Sequence, residues 1–357
     1  MFDPEFWKGR KVFVTGHTGF KGSWICLLLR ELGARVSGYA LEPPTDPALF
    51  DLARIADEIR HTIGDVRDLA ALEAALHAAE PEVVIHMAAQ SLVRYSYANP
   101  VETFSTNVLG TVHLLDAVRR TPTVRAVVVV TSDKCYYNEE WVWGYREDAR
   151  LGGHDPYSGS KGAAELVVTA YQNSFFDRER HRELAAVGSG RAGNVIGGGD
   201  WAIDRLVPDV MRSLLEGRPT LIRSPQATRP WQHVLEPLNG YLMLAEKLFE
   251  SRHEFSGGWN FGPAAENEAT VGQVSQRLYE LWGADFAWQR DTDPGPPEST
   301  FLKLDASKAR AYLGWRPLLD LDTTLAWIVE WFRGFRDGAD PRDACLADIH
   351  RFMALER

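Results

Sequence analysis

Short runs of consecutive apolar residues, spaced by stretches with helical periodicity, organise the first half of the chain. Residues 11–15, 35–41, 82–87 and 126–131 read as strands, the last two β-branched and nearly all apolar. Such runs suit a parallel sheet covered on both faces. Residues 22–32 place apolar side chains at helical spacing, and residues 70–79 are rich in Ala and Leu. The alternation predicts an α/β doubly wound parallel sheet. A long helix is expected to begin after Asp155, a good N-cap, with Pro156 at the first helical position, and to run to about Phe176. Beyond Gly188, Gly, Pro and Trp become frequent. The expected division is residues 1–189 as a dinucleotide-binding domain and 190–357 as a smaller C-terminal lobe, with some segments returning to the first. Residues 343–355 read as an amphipathic terminal helix.

Bulk composition narrows the class. The 357 residues are 45% hydrophobic and 25% charged, as in an ordinary globular protein. The formal net charge of −10 argues against a nucleic-acid partner but leaves room for an anionic small ligand held by a few arginines. Cys26, Cys135 and Cys345 are odd in number and lack metal-type spacing, so neither a disulfide framework nor a metal site is expected. No leader peptide or membrane-length apolar run is visible, and a cytoplasmic location is expected.

Gly16-His17-Thr18-Gly19-Phe20-Lys21-Gly22 follows the first strand and opens a helix. Glycines at this spacing permit a sharp turn and a close backbone approach to a pyrophosphate facing the helix N-terminus. At the end of the second strand Glu42 is a possible ribose partner and no arginine waits for a 2′-phosphate, which favours NAD over NADP. Asp68 should cap the following helix, leaving Asp65 for an adenine amine. Tyr157 and Lys161 are four residues apart and share a helical face. A neighbouring ammonium should lower the phenol's pKa and make it a base for a sugar hydroxyl. Thr131, Ser132, Asp133 and Lys134 close an apolar strand, where ligands of open α/β sheets bind. Cys135 is expected to be a packed residue.

These features, with the blocks Arg191-Ala192-Gly193-Asn194-Val195-Ile196-Gly197-Gly198-Gly199-Asp200-Trp201 and Arg229-Pro230-Trp231-Gln232-His233-Val234, resemble the extended short-chain dehydrogenase/reductase family, in its nucleotide-sugar epimerase and dehydratase branch. The resemblance spans nearly the whole chain. It implies a Rossmann fold, NAD held by Gly16, Gly19, Phe20, Gly22, Asp65, Val66, Ala88, Ala89 and Gln90 together with Tyr157 and Lys161, and a structural or water-binding Asn107. It implies a nucleotide-sugar substrate, CDP-glucose, held by Ser132, Asn194 and Arg229, and a homodimer. The implied chemistry is an internal redox cycle. Tyr157, with Thr131, starts oxidation at C4, Asp133 protonates the departing 6-hydroxyl, and the residue beside Asp133 acts at C5. Related dehydratases carry Glu at that last position; here it is Lys134. Lysine is a base only when neutral, and otherwise stabilises an enolate. The sequence leaves both open.

Overall fold

The computed structural model describes residues 1–177, 184–264, 268–292 and 301–355. Seven strands build the central sheet: β1 Lys11–Thr15, β2 Arg35–Ala40, β3 Arg60–Ile63, β4 Val83–His86, β5 Ala126–Val130, β6 Ala186–Ala192 and β10 Gly257–Phe261. Their order is β10-β6-β5-β4-β1-β2-β3, and every pairing is parallel. This is the doubly wound order 3-2-1-4-5-6 with one strand added beyond β6.

The unbroken apolar runs are explained by where alternate side chains go. Val12, Val14, Ile85, Val128 and Val130 join one core cluster, while Phe13, Val84, Val127 and Val129 join another on the opposite face. Helices cover both faces, so neither set of side chains meets water. The edge strand β3, Arg-His-Thr-Ile, has no fully buried residue and lacks the apolar run of its neighbours. It did not stand out in the sequence for that reason.

Residue 190 lies inside β6, and the chain after it divides. The helix Leu235–Glu250, buried along most of its length, packs on β5 and β6, and β10 then joins the sheet. The rest forms smaller sheets: β7 Asn194–Ile196, β9 Thr228–His233 and β11 Glu268–Thr270 make one, and β8 Leu221–Ile222 with β12 Gln289–Arg290 make another. The terminal helix spans Pro341–Ala354.

The helix Pro156–Ser174 starts where expected. Ser158 N–H donates to Asp155 Oδ1 at 2.9 Å, and the Asp155 N–H donates to Ser158 Oγ at 3.2 Å, closing a reciprocal cap. This end carries Tyr157, so the cap fixes the first turn of the site. Asp155→Ala is expected to lower the unfolding free energy by about 1 kcal/mol, read from urea denaturation. An unchanged midpoint would show that tertiary packing alone holds this turn.

Candidate active site

The C-terminal ends of β1, β4, β5 and β6 converge on one crest. Leaving β1, Gly16 has φ 74°, a left-handed conformation that suits glycine. A side-chain carbon on Gly22 would lie 2.0 Å from the Gly16 carbonyl oxygen, so the turn closes only around glycine. At Gly19 the same carbon would meet nothing closer than 3.5 Å, so the turn is packed below and open above. The helix Phe20–Glu31 begins two residues before the expected start, with Gly19 as its N-cap and no side-chain cap. Its first amides therefore suit an anion such as a dinucleotide pyrophosphate.

Other residues expected at the cofactor are placed around this turn. Ala88 N–H donates to Thr15 Oγ1 at 3.2 Å, against β1, and Ala89 follows it. Gln90 is tied internally: its N–H donates to Asn107 Oδ1 at 2.9 Å and its side-chain amide to Thr103 Oγ1 at 2.8 Å. Asn107 also donates to Gln90 O and to Ser160 Oγ, linking this loop to the helix Pro156–Ser174. Asp68 caps its helix through Ala71 N–H. Asp65 is not left free: it accepts from the Arg67 backbone at 2.8 Å and from its guanidinium at 2.6 Å. Val66 is buried beside Gly110.

Phe20, Thr131, Ser132, Asp133, Lys134, Tyr157, Asn194 and Arg229 line one cleft of about 300 Å³. Lys161 lies buried one helical turn beyond Tyr157. Burial raises the Asp133 carboxyl above the usual range, against Lys134, Ser132 and Arg229, which favour its charge. A carboxyl so raised can hold a proton to give away. Ser132 Oγ donates to Asp133 Oδ1 at 2.8 Å, and the other carboxylate oxygen is buried without a hydrogen bond among the described residues. Cys135 is buried, and desolvation keeps its thiol protonated.

One expectation is corrected. The Tyr157 phenol is not lowered: burial pushes it up to about 12, with Ser132 opposing. Desolvation of the phenolate outweighs the Ser132 hydrogen bond and the charge of Arg205, and burial also holds the Lys161 ammonium down to about 8. Thr131, expected to hydrogen-bond a reacting hydroxyl, gives its own proton to Glu165.

Sequence reasoning also missed several groups lining the cleft. Lys21, between two glycines of the turn, enters beside Phe20. Burial, then Lys161 and Arg205, lower its pKa to about 7, with Asp133 and Asp200 opposing. Arg205 bridges Asp200 at 3.2 Å and Ser91 Oγ at 2.8 Å, joining the loop after β4 to the second lobe. A charged residue between the turn's glycines was the available signal for Lys21.

Residues 13–327 match the sequence profile of the family described as GDP-mannose 4,6 dehydratase. The chain is 51% identical over 355 residues to CDP-glucose 4,6-dehydratase of Salmonella typhimurium, spanning 99% of both chains. It is 30% identical over 331 residues to dTDP-glucose 4,6-dehydratase of Mycolicibacterium smegmatis, 90% of this chain and 93% of that one. Among solved structures, dTDP-glucose 4,6-dehydratase of Streptomyces venezuelae with NAD bound superposes with a TM-score of 0.75, at 25% identity, over 93% of this chain and 99% of that one.

Lys21 gives the site a pH signature. Its folded-state value, about 7, lies below the ordinary 10.5, so between these values the unfolded chain binds the extra proton. Stability contributed by this group therefore rises with pH across that window. Lys21→Met removes the penalty of burying the charge. The variant is expected to melt above the wild type near pH 7, with the gap closing by pH about 10. A gap constant with pH, measured by thermal denaturation without ligands, would show that Lys21 titrates normally.

Proposed function

The chain belongs to the GDP-mannose 4,6 dehydratase family, and we propose that it converts CDP-glucose to CDP-4-keto-6-deoxyglucose as an NAD-dependent hydro-lyase of deoxysugar biosynthesis. The observation that carries this reading is that Tyr157 and the pair Asp133 and Lys134 line one cleft, so oxidation and loss of water have their groups together. A 4-epimerase on this scaffold needs only the former.

NAD would be held by the turn Gly16, Gly19, Phe20 and Gly22 and by Asp65, Val66, Ala88, Ala89 and Gln90, and when bound it would supply the hydride acceptor for C4 and the donor for C6. Tyr157, as phenolate, takes the proton of the 4-hydroxyl at its Oη. Lys161, a cation below about pH 8, favours that phenolate. The C4 ketone acidifies the hydrogen on C5. Lys134 acts there, stabilising the enolate as an ammonium or taking the proton as an amine. Asp133, its carboxyl raised by burial, gives a proton to the 6-hydroxyl, which leaves as water. Arg229 and Asn194 hold the diphosphate and nucleotide end, with Ser132 nearer the sugar, guanidinium being suited to two phosphate oxygens.

The homodimer is proposed on an apolar surface beside the catalytic helix. Val101 is 82% exposed, Leu109 50% and Leu166 60%, and Val101 and Leu109 share a shallow pocket with Phe104 and Ala163. An exposed apolar patch of this kind is ordinarily covered by a partner, and a second copy presents the same patch to itself. The three cysteines are free and buried, which supports a reducing, cytoplasmic setting. Among the described residues no helix is long and apolar enough to cross a membrane.

Purified protein with NAD should remove one water from CDP-glucose, read by mass, and should favour it over dTDP-, UDP- and GDP-glucose. Unchanged mass with inverted C4 stereochemistry would make the protein an epimerase. Tyr157→Phe should lower kcat by about 10²–10⁴-fold. Sedimentation should give a dimer that Val101→Glu with Leu109→Glu converts to monomer. A monomeric wild type would remove the dimer from the proposal.

A further inference from the structure

The helical face of Tyr157 and Lys161 continues one turn further to Glu165, a residue the chemistry above does not use. Glu165 is 1% exposed, and its carboxylate receives three donors. The Thr131 hydroxyl donates to Oε1. Ser189 Oγ, at 2.8 Å, and Arg191 Nη2, at 2.7 Å, donate to Oε2. Burial opposes the charge, but Arg191 and these hydrogen bonds outweigh it and hold the group below the usual carboxylate range.

An ionised carboxylate can only accept hydrogen bonds, and a threonine hydroxyl has one proton to give. Once that proton goes to Glu165, the Thr131 oxygen has only lone pairs left for the cleft it lines. Its position is fixed as well, because Thr131 N–H donates to Gly190 O at 2.9 Å as β5 ends. We infer that Glu165 is a positioning residue that holds Thr131 as a hydrogen-bond acceptor toward the substrate's 4-hydroxyl.

This inference rests on the proposed role of Tyr157 and sharpens it. A Thr131 hydroxyl free to rotate can turn its proton into the cleft, toward the 4-hydroxyl or Tyr157, and then no longer accepts from the sugar's O–H. Glu165 removes that option and keeps the Thr131 lone pairs for the sugar's proton. Thr131 accepts from the same 4-hydroxyl before transfer and so orients its O–H. Arg191 provides the charge that keeps Glu165 ionised, and with it the direction of the Thr131 proton.

The test compares wild type, Thr131→Val, Glu165→Gln and the double variant in dehydration of CDP-glucose across pH, with Tyr157→Phe as reference. Glutamine keeps the shape of Glu165, but its NH₂ can donate to Thr131 and turn that proton into the cleft. Glu165→Gln is expected to lower kcat roughly tenfold with KM within about twofold, as for loss of an interaction used in the transition state. It should also move the acid limb of kcat/KM to lower pH, because the phenolate gains a donor. Thr131→Val should lose a similar amount of kcat without that shift. The double variant should match Thr131→Val in rate and limb, since both changes act through one hydroxyl.

Losses that multiply in the double variant, or a limb shift that persists there, overturn the inference. Either result means that Glu165 acts by its charge on Lys161 and not through Thr131. Asp133, Asp155 and Arg205, the other charged groups acting on Tyr157, are the same in every variant. Should Glu165→Gln fail to fold for want of a partner for Arg191, Glu165→Asp keeps the charge and shortens the reach, with the same non-additivity with Thr131→Val expected. A fully active Tyr157→Phe sinks the proposed function itself, an outcome distinct from multiplying losses beside an inactive one.

Discussion

A buried charge must be matched where it is buried, and the ion pair of Glu165 with Arg191 meets that constraint beneath the site. Arg191 and Glu165 side chains are 5% and 2% exposed, and they join β6 to the catalytic helix. Breaking such a pair by removing one partner costs about 3–5 kcal/mol, because the other charge stays unpaired. The pair therefore fixes where the helix Pro156–Ser174 can lie against the sheet. Arg191 Nη1 extends the link by donating to Tyr136 Oη at 2.8 Å, and Tyr136 in turn donates to Asn260 on β10. Two strands, the helix Pro156–Ser174 and the segment after β5 are thus tied through one guanidinium.

Above this network the site is a crowd of cations with few counter-ions. Lys161, Lys21 and Arg205 act on one another or on shared neighbours, and Asp133 and Asp200 compensate only in part. The physical result is a set of groups held toward neutral forms. Tyr157 keeps its proton, Asp133 tends to keep one, and both lysines are easier to deprotonate than usual. Acid–base catalysis works best with groups whose protonation can change near the working pH. Burial supplies that property to Lys21 and Lys161 together.

Local signals carried much of the fold. The Asp155–Pro156 start was legible because capping depends on residues three apart, and β1, β4 and β5 because burial on both faces leaves an apolar run. β3 was not, because an edge strand needs no such run. The candidate site was legible residue by residue but not in its wiring. That Thr131 faces Glu165 depends on β5 lying beside β6 and under one particular helix, which no spacing in the chain records. The direction of the Tyr157 shift was missed for a related reason: sequence spacing shows the lysine but not how far water is excluded from the phenol. The pairing of Asp65 with Arg67, two residues away, was not legible because it runs through a turn whose shape the sequence did not specify.

Lys21 shows how one substitution in a structural motif changes chemistry elsewhere. The turn needs glycine at 16 and 22, but position 21 only has to begin a helix, so its side chain is free to vary. A lysine there reaches the crest that β5 and the catalytic helix also reach, and Asp133 and Lys161 both feel its charge. An anionic ligand in the cleft favours the protonated form of Lys21 by the same Coulomb attraction that Asp133 and Asp200 now exert on it. Ligand binding and proton uptake are thereby linked: whatever diphosphate the cleft accepts draws a proton onto Lys21. The dinucleotide turn and the proton-handling residues are therefore electrostatically one site, although they lie more than a hundred residues apart in the chain.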